Sequence, residues 1–169
     1  MPFWSENFGQ SADMKDPKRN FRFVVEFQGI KSANGGAVLW FAKSVAKPSF
    51  AINAAEHKYL NHTFYYPGNV TWNTVSVTLV DPANPDMTAT MADIVQLSGY
   101  SPPTGPNDHT TISKGKSAAG LGTVIIRQID AEGKSLEEWT LWNAWIKSVN
   151  FSSQLDYGAD AIVNVTMGI

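Results

Sequence analysis

The sequence contains no cysteine, no long apolar run and little charge, and each absence excludes a class of structure or chemistry. Without cysteine there can be neither disulfides nor thiolate chemistry. No window approaches the roughly 18 apolar residues that a membrane-spanning helix needs. The first twenty residues lack the basic start and apolar core of a signal peptide. We therefore expect a soluble protein that is made in the cytoplasm and does not bind a membrane.

Charged residues make up only 17% of the 169 residues, and the formal net charge is −2. Soluble domains usually contain about 25% charged residues, so the surface is expected to be polar but weakly charged. No basic run exceeds Lys18-Arg19, so the chain lacks the footprint of a protein that binds nucleic acid stably. The length suits one self-sufficient core, and we expect a single domain over residues 20–169 behind an N-terminal arm over residues 1–19.

Patterns of catalytic and metal-binding residues are also missing. His57 and His62 lie five residues apart on one predicted strand, where they would point to opposite faces and could not share a metal ion. Glu137 and Glu138 are adjacent on another predicted strand, so they would not form a carboxylate pair for acid–base work. The glycine-rich stretch at 115–122 lacks the Lys-Ser/Thr ending of a phosphate loop. We expect no enzyme activity, no metal and no cofactor.

What the sequence does contain is apolar residues that alternate with a period of two, which is typical of half-buried strands. Phe21, Phe23, Val25 and Phe27 share one face of the first predicted strand. Further strands are predicted at Val38–Ala46, Ala55–Tyr66, Thr71–Asp81 and Leu121–Asp130, with a turn at Pro67-Gly68-Asn69 and another at Glu132-Gly133-Lys134.

One segment has helical spacing instead. Met87, Met91 and Ile94 recur at intervals of three to four residues, and Asp86 can cap the first turn, which predicts a helix at about residues 86–97. The segment Ser101–Leu121 that follows is rich in Pro, Gly, Ser and Thr. It is predicted to be a long loop, either functional or disordered.

The last thirty residues carry the strongest β pattern. A strand that starts at Trp145 has a polar, uncharged face made of Ser148, Asn150, Ser152 and Gln154. Turn residues at 156–158 precede a second strand, which continues to the end of the chain without a charge after Asp160. An uncharged strand at a chain end is a pairing hazard unless something covers it. We interpret this pattern as an indication that the protein's function is assembly.

Aromatic residues support two interpretations in each place where they cluster. Phe3, Trp4 and Phe8 belong either to a frayed terminus or to an arm that docks on a neighbouring molecule. Three tryptophans lie close together in the sequence, at Trp139, Trp142 and Trp145. On a strand, Trp142 would point to the face opposite to that of the other two. Such tryptophans are more often part of a core than of a ligand platform. One of them should face a second sheet or a partner.

Taken together, these features resemble the tail tube protein family of contractile-tailed bacteriophages. The family's opening strand is similar to RNFRFVVEFQG at 19–29. Residues 40–82 resemble its strand ending in Lys-Ser-x-x-x-Pro, followed by an extended hairpin arm, a Gly turn and a strand of small and β-branched residues. The predicted helix follows Asp81, where the family has its only helix. Residues 141–167 resemble its closing hairpin, with Leu141-Trp142 at the start and Leu155-Asp156 at the turn.

The resemblance implies a mainly β fold, in which two antiparallel sheets pack nearly orthogonally as a barrel-like sandwich with one flanking helix at about 86–97. It implies that six copies form a ring, that the inner strands of a ring join into a continuous barrel, and that rings stack into a tube inside a contractile sheath. The tube would be a conduit for DNA. The implied partners are further copies of the chain, the sheath protein, the tape-measure protein, transient genomic DNA, the baseplate and the tail terminator. The implied location is the virion tail, assembled in the host cytoplasm.

Two sets of residues follow from this interpretation. The lumen is predicted to be lined by Ser148, Asn150, Ser152 and Gln154, because a wettable and nearly neutral surface does not retard DNA. Lys58 tests the accompanying expectation that few Lys or Arg face the lumen. Contacts between subunits or rings are predicted at Phe3, Trp4, Phe8, His57, Tyr59 and Asn61, within the segments 3–8, 55–66 and 101–121. If the last strand is buried in the tube wall, Val165→Asp should block assembly.

Other interpretations remain open at this point. The polar face could simply be exposed to solvent on a monomer. The chain could be the tube protein of a phage-like contractile injection system, or a baseplate tube initiator. From a different class, it could be a monomeric β-barrel module that binds a small ligand near Trp139, Trp142 and Trp145.

Overall fold

The computed structural model describes residues 18–29, 42–84, 86–106, 108–151, 155–158 and 160–169. The strands in these ranges are β1 (Phe23–Phe27), β2 (Ala42–Val45), β3 (Phe50–Tyr59), β4 (His62–Trp72), β5 (Ser76–Val80), β6 (Val124–Ile129), β7 (Ser135–Leu141), β8 (Ser148–Asn150) and β9 (Asn164–Gly168). The helices are α1 (Met87–Leu97) and α2 (Lys114–Leu121). The mainly β prediction is confirmed.

The strands form three antiparallel sheets. One sheet has the order β1-β6-β7, the second has the order β2-β5-β9-β8, and β3 pairs with β4 alone. The predicted sandwich describes this arrangement, although the sheets do not close into a barrel within the described ranges.

The core combines the inner faces of the three- and four-stranded sheets with one side of α1. Alternation decides which residues enter it: Val77 and Leu79 of β5 are fully buried, whereas Thr78 between them is half-buried. The buried cluster consists of Val25, Phe27, Val75, Val77, Leu79, Met87, Met91, Ile94, Leu121, Val124, Ile126, Val165 and Met167. Each fully buried aliphatic side chain contributes roughly 1.5–3 kcal/mol relative to exposure, so this cluster is the main source of stability.

Helix α1 confirms the prediction for residues 86–97, and two aspartates fix its start. The Asp86 side chain accepts a hydrogen bond from the backbone N–H of Ala89 at 3.0 Å, as a capping residue does. Asp81, at the end of β5, accepts from the Met87 N–H at 3.0 Å and from the Thr88 hydroxyl at 2.7 Å. These hydrogen bonds therefore fix the connection between β5 and α1, the helix that covers the sheet.

Helix α2 shows that the prediction of a loop over the whole of 101–121 is wrong. Ser113 caps the helix by accepting from the Lys116 N–H at 3.3 Å, and the helix buries Ser117 and Leu121. Only packing reveals it, because a short helix with two glycines has weak intrinsic propensity. Just after it, Gly122 (φ +71°) lies so close to Gly29 that a Cβ would be 2.4 Å from the Gly29 nitrogen, which only glycine permits.

Two predictions for the middle of the chain are also wrong in detail. Alternation alone predicted one strand over 55–66, but the chain reverses direction at Leu60 and Asn61 and forms the β3–β4 hairpin, as the hairpin arm implied by the resemblance does. The turn predicted at 67–69 lies inside β4, where the register shifts between Ile52 and Ala54. Glycine is needed there, because a Cβ on Gly68 would be 2.9 Å from the carbonyl oxygen of Asn53.

The C-terminal hairpin is present, but its last strand is not an edge. The β8 strand is limited to Ser148–Asn150 and pairs with β9, while β9 also pairs with β5 on its other side. The interpretation of β9 as an uncovered strand is therefore wrong, and within the described residues the edge strands of this sheet are β2 and β8. Val165 is fully buried in the chain's own core, so Val165→Asp tests folding rather than assembly.

Candidate assembly surfaces

The hairpin of β3 and β4, residues 50–72, extends from the rest of the fold and is named the arm here. Every residue from 50 to 74 is exposed. Its exposed large apolar side chains are Phe50, Ile52, Tyr59, Leu60, Phe64, Tyr65, Tyr66, Val70 and Trp72. An isolated two-stranded hairpin is marginally stable in water, and a contiguous apolar patch usually marks an interaction site. The arm therefore has the properties of a surface that is covered by a partner.

Strand pairing gives the arm two different faces near its tip. Residues that pair across an antiparallel ladder lie on the same face. One face carries Ala55, His57, Tyr59, His62, Phe64 and Tyr66, which pair as 55 with 66, 57 with 64 and 59 with 62. The other face carries Glu56, Lys58, Thr63 and Tyr65. The tip thus has one aromatic face without formal charge and one face that holds both charges of the arm.

This pairing corrects the prediction that His57 and His62 point to opposite faces. They lie on opposite strands but on the same face, because the turn at Leu60-Asn61 separates them. His62 packs edge-on against Phe64 with ring centroids 5.8 Å apart. Among the described residues, no group of three or more His, Cys, Asp or Glu side chains could hold a metal ion.

The predicted contact residues are only partly brought together. His57 and Tyr59 share the aromatic face near the tip, and Asn61 lies in the turn beside them. Phe3, Trp4 and Phe8 lie outside the described residues. Whether any of these residues contacts another subunit stays a prediction.

The root of the arm is held by hydrogen bonds and an aromatic pair. Asn73 donates its backbone N–H to the Ser49 carbonyl at 2.9 Å and its side-chain amide to the Ser49 hydroxyl at 3.0 Å. Phe50 and Trp72 meet edge-on with ring centroids 5.1 Å apart. Because the arm continues from β2 and into β5, these contacts fix its direction relative to the four-stranded sheet.

The second candidate surface is the outer face of the four-stranded sheet, named the hydroxyl face here. Two cross-strand rows define it, one of Ser44, Thr78, Thr166 and Asn150, and one of Ser76, Gly168 and Ser148. These residues alternate with the buried ones of the same strands. Thr78 and Thr166 place their hydroxyl oxygens 3.5 Å apart. The face is continuous, hydrogen-bonding and free of formal charge over these two rows.

The hydroxyl face contains part of the predicted lumen lining, and whether this face lines a lumen stays a prediction. Ser148 and Asn150 are exposed on it, whereas Ser152 and Gln154 lie outside the described residues. The residues that sequence reasoning missed are Ser44, Ser76, Thr78 and Thr166. The sequence does indicate that Ser76 and Thr78 lie on a polar face, because they alternate with apolar residues. Only the pairing of strands that are distant in sequence shows that this face continues to Asn150. Lys58 lies on the arm and not in these rows.

A network of charged and polar side chains connects the three-stranded sheet to the residues that follow β2, on the side of β2 that faces away from the hydroxyl face. Glu137 of β7 accepts hydrogen bonds from Lys18, from Lys47 at 3.0 Å and from the Trp139 indole N–H. Lys47 also donates to the Gln128 side chain at 2.9 Å. Lys18, Trp139 and Lys47 together lower the pKa of Glu137 from 4.5 to about 2.

The neighbouring glutamate belongs to a separate network on the outer face of the three-stranded sheet. Arg127 binds Glu138 at 2.7 Å and Glu26 at 2.8 Å, and these two carboxylates raise the pKa of the guanidinium. Glu137 and Glu138 therefore do not share a partner among the described residues. The prediction that these two adjacent residues face opposite sides of their strand is confirmed.

Trp139 also lines a groove of about 750 Å³ next to β2. The groove is lined by Asn20, Phe21, Phe23, Ala42, Lys43, Ser44, Val45, Lys47, Ile126, Arg127, Gln128 and Trp139. Trp142 and Trp145 are outside this lining and are 76% and 45% exposed. The three tryptophans thus do not surround one cavity in the described part of the chain, which weakens the interpretation of a ligand-binding module.

Segment 101–113 follows the end of α1, and its described residues include a turn that Asp108 holds. One oxygen of Asp108 accepts from the Thr104 hydroxyl at 2.8 Å and from the N–H groups of Thr104 and Gly105 at 2.9 Å each. These bonds lower the pKa of Asp108. Ser113 then donates its N–H to the Ser98 carbonyl at 3.3 Å. A contact between rings at this segment stays a prediction.

No protein-family model matches the sequence, and no curated protein matches it. Solved structures do share the fold. A chain of the anti-feeding prophage baseplate is 13% identical, with a TM-score of 0.63 over 92% of this chain and 91% of that one. A chain of the sheath/tube terminator of an extracellular contractile injection system is 15% identical, with a TM-score of 0.63 over 92% of both chains.

A third structure, the sheath-tube complex of the same type of injection system in its extended state, is 18% identical, with a TM-score of 0.57 over 92% of this chain and 87% of that one. At such low identity the likeness establishes the fold. In the described part of the chain, no helix has the length and apolar character to cross a membrane.

Proposed function

We propose that the chain is the inner tube subunit of a contractile tail, whose hexameric rings stack into a hollow tube inside a sheath and conduct DNA. The observation that carries the proposal is the arm, whose residues are all exposed in a single subunit although many are large and apolar. The fold supports it, since chains of the same fold belong to a baseplate, a sheath/tube terminator and a sheath-tube complex.

In this proposal the four-stranded sheet is the inner wall of the ring. Among the described residues its edge strands are β2 and β8, so the β8 of one subunit can add to the β2 of the next. A head-to-tail contact that closes on itself produces cyclic symmetry and leaves no exposed edge in the sheet. The hydroxyl face would then line the lumen with Ser148 and Asn150 and, outside the described residues, Ser152 and Gln154.

The lining explains how such a tube would conduct DNA. Cationic side chains hold phosphates and make binding salt-dependent, whereas hydroxyl and amide groups wet the surface without binding charge. The two rows of the hydroxyl face contain neither Lys nor Arg. The tube would therefore act as a passive conduit. It would enclose a tape-measure protein during assembly and DNA during ejection.

The arm would supply contacts between rings or subunits, together with Phe3, Trp4, Phe8, His57, Tyr59, Asn61 and the segment 101–121. The sheath, the baseplate and the tail terminator would bind the outside and the two ends of the tube. The location would be the virion tail, with assembly in the host cytoplasm.

A second candidate is favoured by the source of the structures that share the fold. They come from contractile injection systems, including a baseplate and a terminator. The chain would then be the tube protein of such a system, or a baseplate tube initiator, and its cargo would not be a genome. Neighbouring genes separate the two: a sheath gene beside capsid and terminase genes favours the phage tail, and one beside an ATPase and toxins favours the injection system.

Negative-stain microscopy of the purified chain tests the assembly common to both candidates. Rings or tubes with a central channel are the expected result, accompanied by an early, high-mass peak in gel filtration. Uniform small particles that keep the mass of one subunit at high concentration would contradict the proposal.

A further inference from the structure

The tip of the arm has an unfavourable residue for its position. Leu60 adopts a left-handed backbone conformation, with φ at +52°, and its side chain is 88% exposed. Two-residue hairpin turns use glycine or asparagine for positive φ, because a bulky side chain there costs of the order of 1–3 kcal/mol. Both the backbone and the solvent-exposed side chain disfavour leucine at this point. A partner that buries the side chain would offset both costs.

The groove beside β2 offers a matching receptor. Its floor is apolar and is formed by Phe23, Ala42, Val45, Ile126 and Trp139. With a volume of about 750 Å³, it has room for a leucine side chain together with its neighbours. The groove lies near the root of the arm, because its lining includes Lys47, and the arm begins shortly after this residue at Phe50.

Distance prevents the tip and the groove of one subunit from meeting. The β3 strand contains 10 residues, and at about 3.3 Å per residue it places the tip roughly 30 Å from the root. Because the tip and the groove of one subunit lie this far apart, the tip can reach such a groove only on another copy, in a head-to-tail contact that repeats.

Charge supports the same pairing. In the groove lining, Lys47 is bound to Glu137, and Arg127 is bound to two other glutamates. Lys43 is exposed on the rim and forms no ion pair with a described residue. The only carboxylate of the arm is Glu56, on the charged face near the tip.

We propose that Leu60 of one subunit inserts into the groove of a second copy of this chain, with Glu56 near Lys43 on the rim. This inference rests on the proposed function and specifies one of its contacts. In this contact the length of the arm sets the distance between neighbouring subunits, because the tip and the groove of each subunit lie one arm length apart.

Engineered cysteines test the contact cleanly, because the chain has none of its own. Leu60→Cys is combined with Val45→Cys in the floor of the groove, and the assembled protein is oxidised and separated on a non-reducing gel. The expected result is a ladder of covalent oligomers. The matched control pairs Leu60→Cys with Ala119→Cys, an exposed position on α2, and should give no ladder.

The outcomes separate this inference from the proposed function. Tubes without a ladder overturn the inference and leave the tube proposal standing. A ladder without tubes supports the contact and contradicts the tube. If neither tubes nor a ladder form, the inference and the tube proposal are both overturned. The competing occupant is the N-terminal segment of the chain, so a Trp4→Cys/Val45→Cys pair that closes within one chain would overturn the insertion of Leu60.

Leu60→Asn supplies a second, independent measurement. Asparagine tolerates positive φ, so the isolated subunit should unfold at the same denaturant concentration or a higher one. The loss of a buried leucine should raise the concentration needed for assembly about 10- to 100-fold. A charge exchange, Glu56→Lys with Lys43→Glu, should assemble better than either single variant. Assembly of Leu60→Asn at the wild-type concentration would overturn the inference.

Discussion

The arm and the four-stranded sheet are built from the same kinds of residue but differ in what covers them. The sheet buries Val77, Leu79, Val165 and Met167 against the rest of the subunit and presents hydroxyls on its other face. The arm has aromatic and aliphatic side chains on both faces and buries none of them. Because burial of apolar area is the main favourable term in folding, the sheet stabilises the subunit by itself, whereas the arm gains stability only from another molecule. Mutations in the two regions should therefore affect different measurements.

The largest effect is expected at the centre of the sheet. Val165→Asp places a charge at a fully buried site and should destabilise the subunit by more than about 4 kcal/mol, which is enough to unfold it. Urea unfolding followed by circular dichroism measures this. The control is Thr166→Asp on the hydroxyl face, which should cost less than about 1 kcal/mol. Equal losses would contradict the assignment of the two faces.

The arm should show the reverse behaviour. Phe64→Ala, at a side chain that is 44% exposed, should change the unfolding free energy of the subunit by less than about 1 kcal/mol. It should weaken assembly about tenfold or more, because the ring would be buried in the assembled state. Sedimentation velocity over a concentration series measures assembly. The matched core variant, Val77→Ala, should instead lower stability by about 2 kcal/mol. A variant of the arm that lowers the unfolding free energy of the subunit but leaves assembly unchanged would contradict this contrast between the arm and the sheet.

A smaller effect is expected from charge on the hydroxyl face. The double variant Ser148→Lys/Asn150→Lys should still fold, because both sites are exposed. If the face lines the lumen, its tubes should retain DNA at low salt and release it steeply as salt rises. Filter binding of DNA to purified tubes, from 50 mM salt upward, gives the slope. Thr140→Lys, on the outside of the other sheet, is the control, and equal retention by this variant would place the lumen elsewhere.

The smallest effect concerns pH and the network around Glu137. The folded-state pKa of this group, about 2, lies below its usual 4.5, so its contribution to stability is complete above pH 4.5. That contribution is lost as the pH falls toward 2. The unfolding free energies of the wild type and Glu137→Gln should therefore differ at pH 7 and converge toward pH 2. Glu132→Gln, in an exposed turn, is the control and should show no such convergence.

Local patterns in the sequence predicted the features that depend on neighbouring residues. The period of two identified the buried residues of β5 and β9, and spacing with an acidic cap identified α1. The turns at Gly133 and at 156–158 were also predicted, and Gly158 donates its N–H to the Asp156 carboxylate at 2.9 Å.

The features that the sequence could not provide depend on contacts between distant residues. Nothing local shows that β9 lies between β5 and β8, so a central strand had the pattern expected of an uncovered edge. The turn at Leu60 lacks glycine, which is why one strand was predicted through it and the two histidines were placed on opposite faces. The hydroxyl face was seen on one strand only, since its rows cross four strands that are far apart in sequence.

The position of Ile169 has a practical consequence for anyone who attaches a fluorophore or an affinity label. Its backbone N–H and carbonyl both bond to Val75, at 2.9 Å each, so this residue is held beside the point where the arm joins β5. A label attached at Ile169 would lie next to the arm and would block a neighbouring subunit that covers the arm. The β6–β7 turn, where residues 131–134 are all exposed, is a better site for such a label, attached at Glu132 and not at Gly133, whose φ of +81° disfavours any side chain.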